Sequence, residues 1–408
     1  MISTKTIRAT ATRSKGQFAS LPSLVYVGDV AVEATVAGST LLYRLLQDYP
    51  CERLLIAEGN LWVSRPEKRL PRVKYESFKV GVERLLRTRL HSLYSGALHL
   101  TAPSRVRGLR RIFEEFQPEA ILTVAHGYSW MTATRLAKEF GLPLHLIIHD
   151  DWISIQKGVL PDRVYQAVET KFGDTYRQAT SRMCVSPYMV DDFTMKYSVQ
   201  GTVLYPSRPA NVPCYESAPP IGRTNGKITF AFAGTVNTRG YANSLATLAN
   251  VLDAAGGALI VYSDLTAADV KSCGLTGDHV TVKPILPLED LLVSLRANVD
   301  VLFAPMSFEA DDARNMRVGF PSKLADYSIT GLPILIWGPP YCSAIRWARE
   351  NRGVAEVVDE PEPDVLARAV TTLMADPHHR QTLGEAALIK GREYFSHETA
   401  VERFYKCL

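Results

Sequence analysis

The sequence predicts an α/β protein of two Rossmann-like domains, each built on a parallel β-sheet. The first reason is length, because 408 residues exceed what one hydrophobic core usually supports and fit two domains of about 200 residues. The second is that short apolar segments alternate with helix-like segments, as buried parallel strands and their crossover helices do. The third is a proline-rich interruption that divides this alternation into two series.

The first series of apolar segments predicts an N-terminal domain over residues 21–205. Its expected strands are SLVYVGDV, RLLIAEG, AILTVAH, LHLIIHD, MCVSP and GTVLYP. Residues 1–20 contain four basic and no acidic side chains and lack the apolar segment of a secretory signal. We therefore expect a flexible basic tail there, although organellar transit peptides share this composition.

A second series predicts a C-terminal domain over residues 227–385. It follows a predicted linker at 206–226, which contains five prolines, and comprises KITFAFAG, GALIVYSD, HVTVKPI, VDVLFAPM, LPILIW and VAEVVD. Residues 386–408 have helical periodicity and form C-terminal helices that could cross back to the N-terminal domain. Ligands are expected in a cleft faced by the carboxyl ends of both sheets.

Composition excludes several classes of protein. With 46% apolar and 22% charged residues, no segment approaches the run of about 18 apolar residues that spans a bilayer. Six cysteines lie far apart without a CxxC pair, which argues against a zinc site or a disulfide framework and favours a reducing, cytoplasmic compartment. A dinucleotide-binding GxGxxG motif is absent from the sequence, as is any cluster with the spacing of metal ligands.

The segment GFPSKLADYSITGLPIL carries a charged pair in an unusual place. Proline near its start and glycine near its end predict a helix from about Pro321 to Thr330, followed by a buried strand. Lys323 and Asp326 would share one face of this helix. Taken alone, such a pair is most often a solvated salt bridge.

The second half of the chain resembles the retaining glycosyltransferases of the GT-B fold, in the family 4-like group (glycosyl transferases group 1). VDVLFAPMSFE, with Glu309 after the proline, is similar to the family's first acidic motif, and LADYSITGLPIL places Asp326 where its second Glu stands. The family separates these acids by eight positions, whereas here they are seventeen apart, so DDARNMRVG reads as a nine-residue insertion. PSKLADY is closer to a branch of the family with P-x-K-L-x-E-Y, which matches Lys323.

This resemblance implies that the C-terminal domain binds a nucleotide-diphosphate sugar. The helix start and Lys323 would face the diphosphate, and Asp326 would accept hydrogen bonds from the ribose diol. FAFAGTVNTRGY is similar to the family's first strand and glycine loop, and the base would lie near the strand HVTVKPI. The implied donor-binding residues are Gly234, Arg239, Ile285, Ser322, Lys323 and Asp326.

The same resemblance implies that the N-terminal domain binds the acceptor. LVYVGDVAVEATVAGS is similar to the family's first glycine-containing loop, here near Gly38. PEAILTVAHGYSW and LPLHLIIHDDW resemble two strands that each end in histidine, which places His126, His149 and Asp150 at the site. The catalytic residues implied are His126, Asp151 and Glu309, and no metal or other cofactor is expected.

A strongly basic block at residues 62–111 contains thirteen Lys or Arg against three Glu. Within it, FKVGVERLLRTRLHSLY predicts a cationic amphipathic helix, which could lie on an anionic membrane surface. The alternative is a core-facing helix with a solvated basic side. We expect a bacterial enzyme, cytoplasmic or peripheral on the inner face of the cytoplasmic membrane, with no nucleic-acid partner.

The predicted function is therefore transfer of a hexosyl or deoxyhexosyl group to a glycan or lipid-linked acceptor in cell-envelope polysaccharide synthesis. Two alternatives remain open at this point. A sugar-nucleotide epimerase of the same fold would use the same donor helix without an acceptor. A non-catalytic nucleotide- or glycan-binding module would explain the insertion and the Glu-to-Asp change.

Overall fold

The computed structural model describes residues 21–34, 37–212, 215–222, 226–236 and 238–408. The chain divides into two compact units. The N-terminal unit runs to Tyr205 and also contains Ala400–Leu408, whereas the C-terminal unit is Pro206–Thr399. The predicted basic tail lies outside the described residues, as do positions 213, 214 and 223–225 of the predicted linker.

A seven-stranded parallel sheet forms the centre of the N-terminal unit. Its strands are β1 (Leu24–Gly28), β2 (Leu54–Gly59), β3 (Lys74–Phe78), β4 (Ala120–Val124), β5 (Leu144–Ile148), β6 (Ser181–Cys184) and β7 (Thr202–Val203). They lie in the spatial order β3-β2-β1-β4-β5-β6-β7.

Both faces of this sheet are covered by helices. In β1, Leu24 and Tyr26 belong to one core cluster while Val25 and Val27 belong to another, as expected of a strand buried on both sides. The helices of this part of the chain are α1 (Ala37–Leu46), α2 (His91–Thr101), α3 (Val106–Phe116), α4 (Trp130–Phe140), α5 (Trp152–Ile155), α6 (Asp162–Gln178) and α7 (Pro187–Tyr197).

The C-terminal unit is built on a six-stranded parallel sheet. Its strands are β8 (Thr229–Ala233), β9 (Ala258–Tyr262), β10 (Val280–Lys283), β11 (Val301–Pro305), β12 (Ile334–Trp337) and β13 (Glu356–Val358), in the order β10-β9-β8-β11-β12-β13. Its helices are α8 (Arg239–Ala255), α9 (Ala267–Ser272), α10 (Leu288–Asn298), α11 (Ala313–Val318), α12 (Lys323–Tyr327), α13 (Ser343–Glu350), α14 (Pro363–Ala375) and α15 (Pro377–Phe395).

The last helix, α16 (His397–Cys407), carries the chain from one unit to the other. Ala400 and Phe404 are buried in the same core cluster as Leu24 and Tyr26 of β1, and Tyr405 packs edge-on against Tyr49 with ring centroids 5.7 Å apart. Helix α15 continues unbroken through residue 385, where the sequence placed the end of the donor domain.

The predicted α/β architecture with two parallel sheets is confirmed. Each of the twelve apolar segments overlaps a strand, but β3 was not predicted. Its sequence, KYESF, is polar because β3 is an edge strand with only Phe78 buried, and edge strands tolerate charge. Among the described residues, no helix has the length and apolar character needed to cross a bilayer.

Two predicted helices were wrong in extent. The amphipathic segment is not one helix: a 3-10 helix, Glu83–Arg87, ends at Thr88, whose backbone is extended, and α2 begins only at His91. The Thr88 hydroxyl donates to the carbonyl of Leu85 and accepts from the amide of Leu90, which stabilises this break. The helix predicted at 321–330 is α12, only five residues long.

A buried histidine in α2 gives a testable prediction. His99 is 1% exposed, and neither ring nitrogen has a hydrogen-bond partner among the described residues. Burial, together with the nearby charge of Arg105, lowers the pKa of His99 to about 4. In the unfolded protein this histidine is protonated below about pH 6.5, whereas in the folded protein it stays neutral down to its lower pKa. The folded state therefore loses stability as the pH falls from about 6.5 towards the folded-state pKa.

We expect His99→Phe to raise the free energy of unfolding, and to raise it more at pH 5 than at pH 7.5. The difference between the two pH values should be about 2 kcal/mol, because pH 5 lies 1.5 units below the normal histidine pKa. Phenylalanine keeps most of the ring volume and its edge contact with Tyr128. Chemical denaturation at both pH values measures the difference. An equal change at the two pH values would show that His99 ionises normally.

Candidate functional site

Polar side chains collect where the central strands of the N-terminal sheet end. Because β1, β2, β4 and β5 are parallel, the residues that follow them lie along one carboxyl edge of the sheet. These are Asp29 after β1, residues 60–65 after β2, residues 125–129 after β4, and residues 149–152 after β5.

The structure brings together three of the predicted residues at this edge. Asp150 Oδ2 lies 3.2 Å from His149 Nε2 and 3.6 Å from His126 Nδ1, so one carboxylate serves two imidazoles. The two imidazole rings stack with centroids 5.2 Å apart, and the ring of Trp152 lies 4.0 Å from that of His126. Trp152 was not predicted as a site residue.

The charges in this cluster are set by burial and by the shared carboxylate. Burial lowers the pKa of His126, against the opposite effect of Asp150. Burial works to raise the pKa of Asp150, but its contacts with His126 and His149 hold that pKa well below the usual range. Near neutral pH the cluster thus contains an ionised Asp150 and a neutral His126. One ligand atom from each of the three residues lies within 4.8 Å of the others, close enough to hold a metal ion.

The other two predicted residues of this unit border the cluster. Gly38 lies in the first turn of α1, and a Cβ there would be 3.4 Å from His149 Nε2, so α1 packs closely over that ring. Asp151 is buried and caps α5, because its carboxylate accepts hydrogen bonds from the amide and the hydroxyl of Ser154. This arrangement is that of a structural cap.

Asp29 organises the segment that carries His126. It is buried, and its carboxylate accepts hydrogen bonds from the amides of Tyr128 and Ser129 and from the Ser129 hydroxyl, at 2.5 to 2.7 Å. Gly127 has φ +73°, and a Cβ there would lie 2.6 Å from Asp29, so only glycine fits between them. Sequence reasoning missed this residue, although the turn Gly-Asp directly after the first strand was its signal.

The second group of predicted residues meets at the end of β8 in the C-terminal unit. Gly234 follows β8 with φ +141°, and a Cβ there would be 2.7 Å from Cε and 2.8 Å from Nζ of Lys323. Glycine is therefore needed for the lysine to approach the backbone. The hydroxyl of Tyr327 accepts a 2.8 Å hydrogen bond from the amide of Ala233, which fixes α12 against the same strand end.

Lys323 lies between two aromatic rings. Its Nζ is 5.0 Å from the ring centroid of Phe232 and 5.7 Å from that of Tyr241. No carboxylate among the described residues forms an ion pair with it. Burial lowers the pKa of Lys323 to about 8, although Asp326 acts to raise it. A desolvated cation without an ion-pair partner is a site for an anionic ligand.

The remaining predicted residues of this unit, three for donor binding and the predicted catalytic Glu309, lie at helix starts or after strands. Ser322 is the N-cap residue of α12 without a capping hydrogen bond, and Arg239 is exposed in the first turn of α8. Glu309 is exposed after β11 and accepts a 2.9 Å hydrogen bond from the side chain of Asn243. Ile285 follows β10 and is largely exposed. Tyr241, beside Lys323, was not predicted.

Comparison with known proteins agrees with this geometry. Residues 53–204 match the sequence model of the glycosyl transferase 4-like domain. No curated protein sequence matches the chain.

Solved structures share the whole fold at low identity. HepE from Anabaena, solved with UDP and glucose, is 12% identical with a TM-score of 0.63, over 94% of this chain and 98% of that one. Sucrose-phosphate synthase from Thermosynechococcus elongatus is 13% identical, TM-score 0.65, over 94% and 97%. WaaG, a glycosyltransferase involved in lipopolysaccharide biosynthesis, is 13% identical, TM-score 0.62, over 93% and 98%. The predicted GT-B fold is thereby confirmed, and the match over residues 53–204 supports the resemblance to family 4-like glycosyltransferases.

Proposed function

We propose that this protein is a retaining glycosyltransferase, which moves a hexosyl or deoxyhexosyl group from a nucleotide-diphosphate sugar to a glycan or lipid-linked acceptor in cell-envelope polysaccharide synthesis. The observation that supports donor binding most is Lys323, a cation held against Gly234 that forms no ion pair with any residue in the described part of the chain. HepE, of the same fold, was solved with UDP-glucose. In such a donor, the diphosphate is the anionic group that would pair with Lys323.

In the proposed reaction, Lys323 pairs with the diphosphate and stabilises the charge that develops as the glycosidic bond breaks. Helix α12 is too short to contribute much of a dipole, so the lysine supplies most of the attraction. Asp326, one turn on, accepts hydrogen bonds from the ribose diol. The acceptor oxygen attacks the face that the diphosphate leaves, and a diphosphate oxygen takes the acceptor's proton.

His126 positions the transferred sugar or the acceptor and does not act as the base. Its pKa is lowered by burial, so at neutral pH the ring is neutral, and it packs between His149 and Trp152. We propose that no metal takes part, because Lys323 supplies positive charge to the diphosphate.

A panel of nucleotide sugars tests this function. The purified protein would be incubated with each donor, with and without EDTA, while released nucleoside diphosphate and isomerised donor are measured. Slow release of nucleoside diphosphate that survives EDTA supports the proposal. Isomerised donor would identify an epimerase, neither product would identify a binding module, and loss of release in EDTA would overturn the metal-free chemistry.

A surface of the N-terminal unit supports membrane attachment on the cytoplasmic side. Around the 3-10 helix at Glu83–Arg87 and along α2, large apolar side chains are exposed next to basic ones. We call this the apolar-basic surface; it comprises Lys79, Val82, Arg84, Leu85, Arg87, Arg89, Leu90, Leu93 and Leu100. Apolar side chains that enter the lipid interface beside cations that face anionic headgroups are the pattern of a peripheral membrane site.

We expect the protein to co-sediment with vesicles that contain anionic phosphatidylglycerol and to bind pure phosphatidylcholine vesicles weakly, at low salt. The double variant Leu90→Ser, Leu93→Ser should reduce binding several-fold, because both side chains are more than half exposed. Met195→Ala, at another exposed apolar side chain of this unit, is the matched control. Failure of the wild type to bind anionic vesicles would favour an acceptor in solution.

A further inference from the structure

One aromatic side chain at the carboxyl edge of the N-terminal sheet has no role in the reaction so far. Of the five tryptophans, Trp130, Trp337 and Trp347 are buried and Trp152 is partly buried against His126, whereas Trp62 is 38% exposed. It lies in the turn that follows β2. This turn is on the same edge of the sheet as residues 125–129, which carry His126.

The turn that carries Trp62 is held on both sides. Before it, the amide of Asn60 donates to the carbonyl of Phe78, and the Asn60 side chain accepts from the amide of Val80. After it, the amide and the hydroxyl of Ser64 both donate to the buried carboxylate of Glu58, at 3.2 and 2.6 Å. Trp62 is therefore fixed in an exposed position by the backbone around it.

The indole ring of Trp62 also packs against a second aromatic ring. It is nearly parallel to the ring of Tyr128, with an interplanar angle of 13° and centroids 6.4 Å apart. Tyr128 is buried, its hydroxyl bonds to Ser95 at 3.1 Å, and its amide donates to Asp29. The same carboxylate thus fixes both the support of Trp62 and the segment that carries His126.

Two exposed polar residues, Asn60 and Arg65, lie two positions before and three positions after Trp62 in the sequence. Arg65 has a half-exposed side chain 3.4 Å from the carboxylate of Glu33, and Asn60 is exposed. Donors and acceptors next to a fixed aromatic face match the chemistry of a sugar, which has C–H groups on one side of its ring and hydroxyls around the rim. The electron-rich aromatic face attracts those C–H groups.

We propose that Trp62 is the platform on which a pyranose ring of the acceptor stacks, with the exposed residues Asn60 and Arg65 facing its hydroxyls. The inference rests on the proposed function and deepens it: the acceptor offers a sugar ring, and not only a lipid or a peptide hydroxyl, to the N-terminal unit. The exposed apolar face of the indole is unfavourable in water, and a sugar stacked on that face would remove it from water.

A glycan array tests the platform directly. Fluorescently labelled wild type, Trp62→Ala, Trp62→Phe and the control Met195→Ala would be applied to an array of bacterial surface glycans and to immobilised phosphatidylglycerol vesicles. We expect the wild type and the control to bind a related group of glycans, Trp62→Ala to bind them about tenfold or more weakly, and Trp62→Phe to keep most of the affinity. Unchanged thermal unfolding temperatures would show that the variants are folded.

The inference is overturned if the wild type binds no glycan, or if Trp62→Ala binds the same glycans as tightly. Loss of vesicle binding in Trp62→Ala without any glycan binding would instead assign the ring to the lipid interface. The donor panel described above is independent of this result. Donor turnover without Trp62-dependent glycan binding would retain the proposed function and reject the platform, whereas absence of both would reject both.

Discussion

Replacing Lys323 with alanine is expected to weaken binding of uridine diphosphate by roughly 1.5 to 3 kcal/mol, about ten- to a hundredfold in Kd. The reason is that its ammonium group would form charge-assisted hydrogen bonds to the diphosphate in a partly buried site. Isothermal titration calorimetry at pH 7 measures the change. Lys271→Ala, at a lysine on α9 of the same unit, is the control and should bind normally.

The same lysine should make nucleotide binding depend on pH. Burial lowers the pKa of Lys323 to about 8, and a bound diphosphate favours its charged form. The attraction is therefore complete below pH 8 and is lost as the pH rises above it. Wild-type affinity should fall between pH 7 and pH 9.5, and Lys323→Ala should abolish that fall.

Asp326 provides a second measurement on the same site. If it accepts hydrogen bonds from the ribose, Asp326→Ala weakens uridine diphosphate binding by about 1 to 3 kcal/mol. The 2′-deoxy nucleotide should then bind the wild type more weakly but bind Asp326→Ala no more weakly than the ribonucleotide. Normal affinity in both Lys323→Ala and Asp326→Ala, with the fold intact, would reduce the pair to a surface feature of α12.

His126→Ala should lower kcat for the best donor by roughly ten- to a hundredfold, at or below the lower end of the range for a positioned polar group in catalysis. The substitution removes the ring that stacks on His149 and Trp152 and leaves Asp150 with one imidazole. Steady-state kinetics would separate kcat from KM. Because His126 lies in the N-terminal unit, uridine diphosphate affinity should remain close to that of the wild type.

The matched control for this variant is His378→Ala, at an exposed histidine of α15. The pH profile adds a further criterion. Since burial lowers the pKa of His126, the rate should stay level down through the usual titration range of histidine and decline only at lower pH. A kcat for His126→Ala within twofold of the wild type would show that the ring only fills space.

Most strands could be predicted because a parallel strand covered on both faces is a continuous apolar run. The apolar pattern did not predict β3, because its position at the edge of the sheet allows the sequence KYESF to be polar. The amphipathic helix was wrong because periodicity does not show that the Thr88 side chain bonds to the backbone at Leu85 and Leu90, which ends the first turn of helix.

A residue of the candidate site could be predicted only where the residue and the neighbours that identify it lie in one short sequence motif. Lys323, Asp326 and Gly234 follow from motifs, but the contact between Lys323 and Gly234 joins positions 89 residues apart in sequence, 323 − 234, and depends on the sheet order. Asp29 and Trp62 act through Tyr128, which no local pattern associates with either of them. Such partners are set by tertiary packing.

The position of Phe404 in the core of the N-terminal unit affects the order in which the two units can finish folding during translation. During translation, residues 21–205 leave the ribosome long before residues 400–408, yet the core around Tyr26 includes Phe404 and Ala400. The unit that begins first can therefore be completed only last, after the C-terminal unit has emerged. A stop codon shortly before residue 400 would leave a cavity in the opposite half of the polypeptide, and would act like a large-to-small substitution in the core of that half.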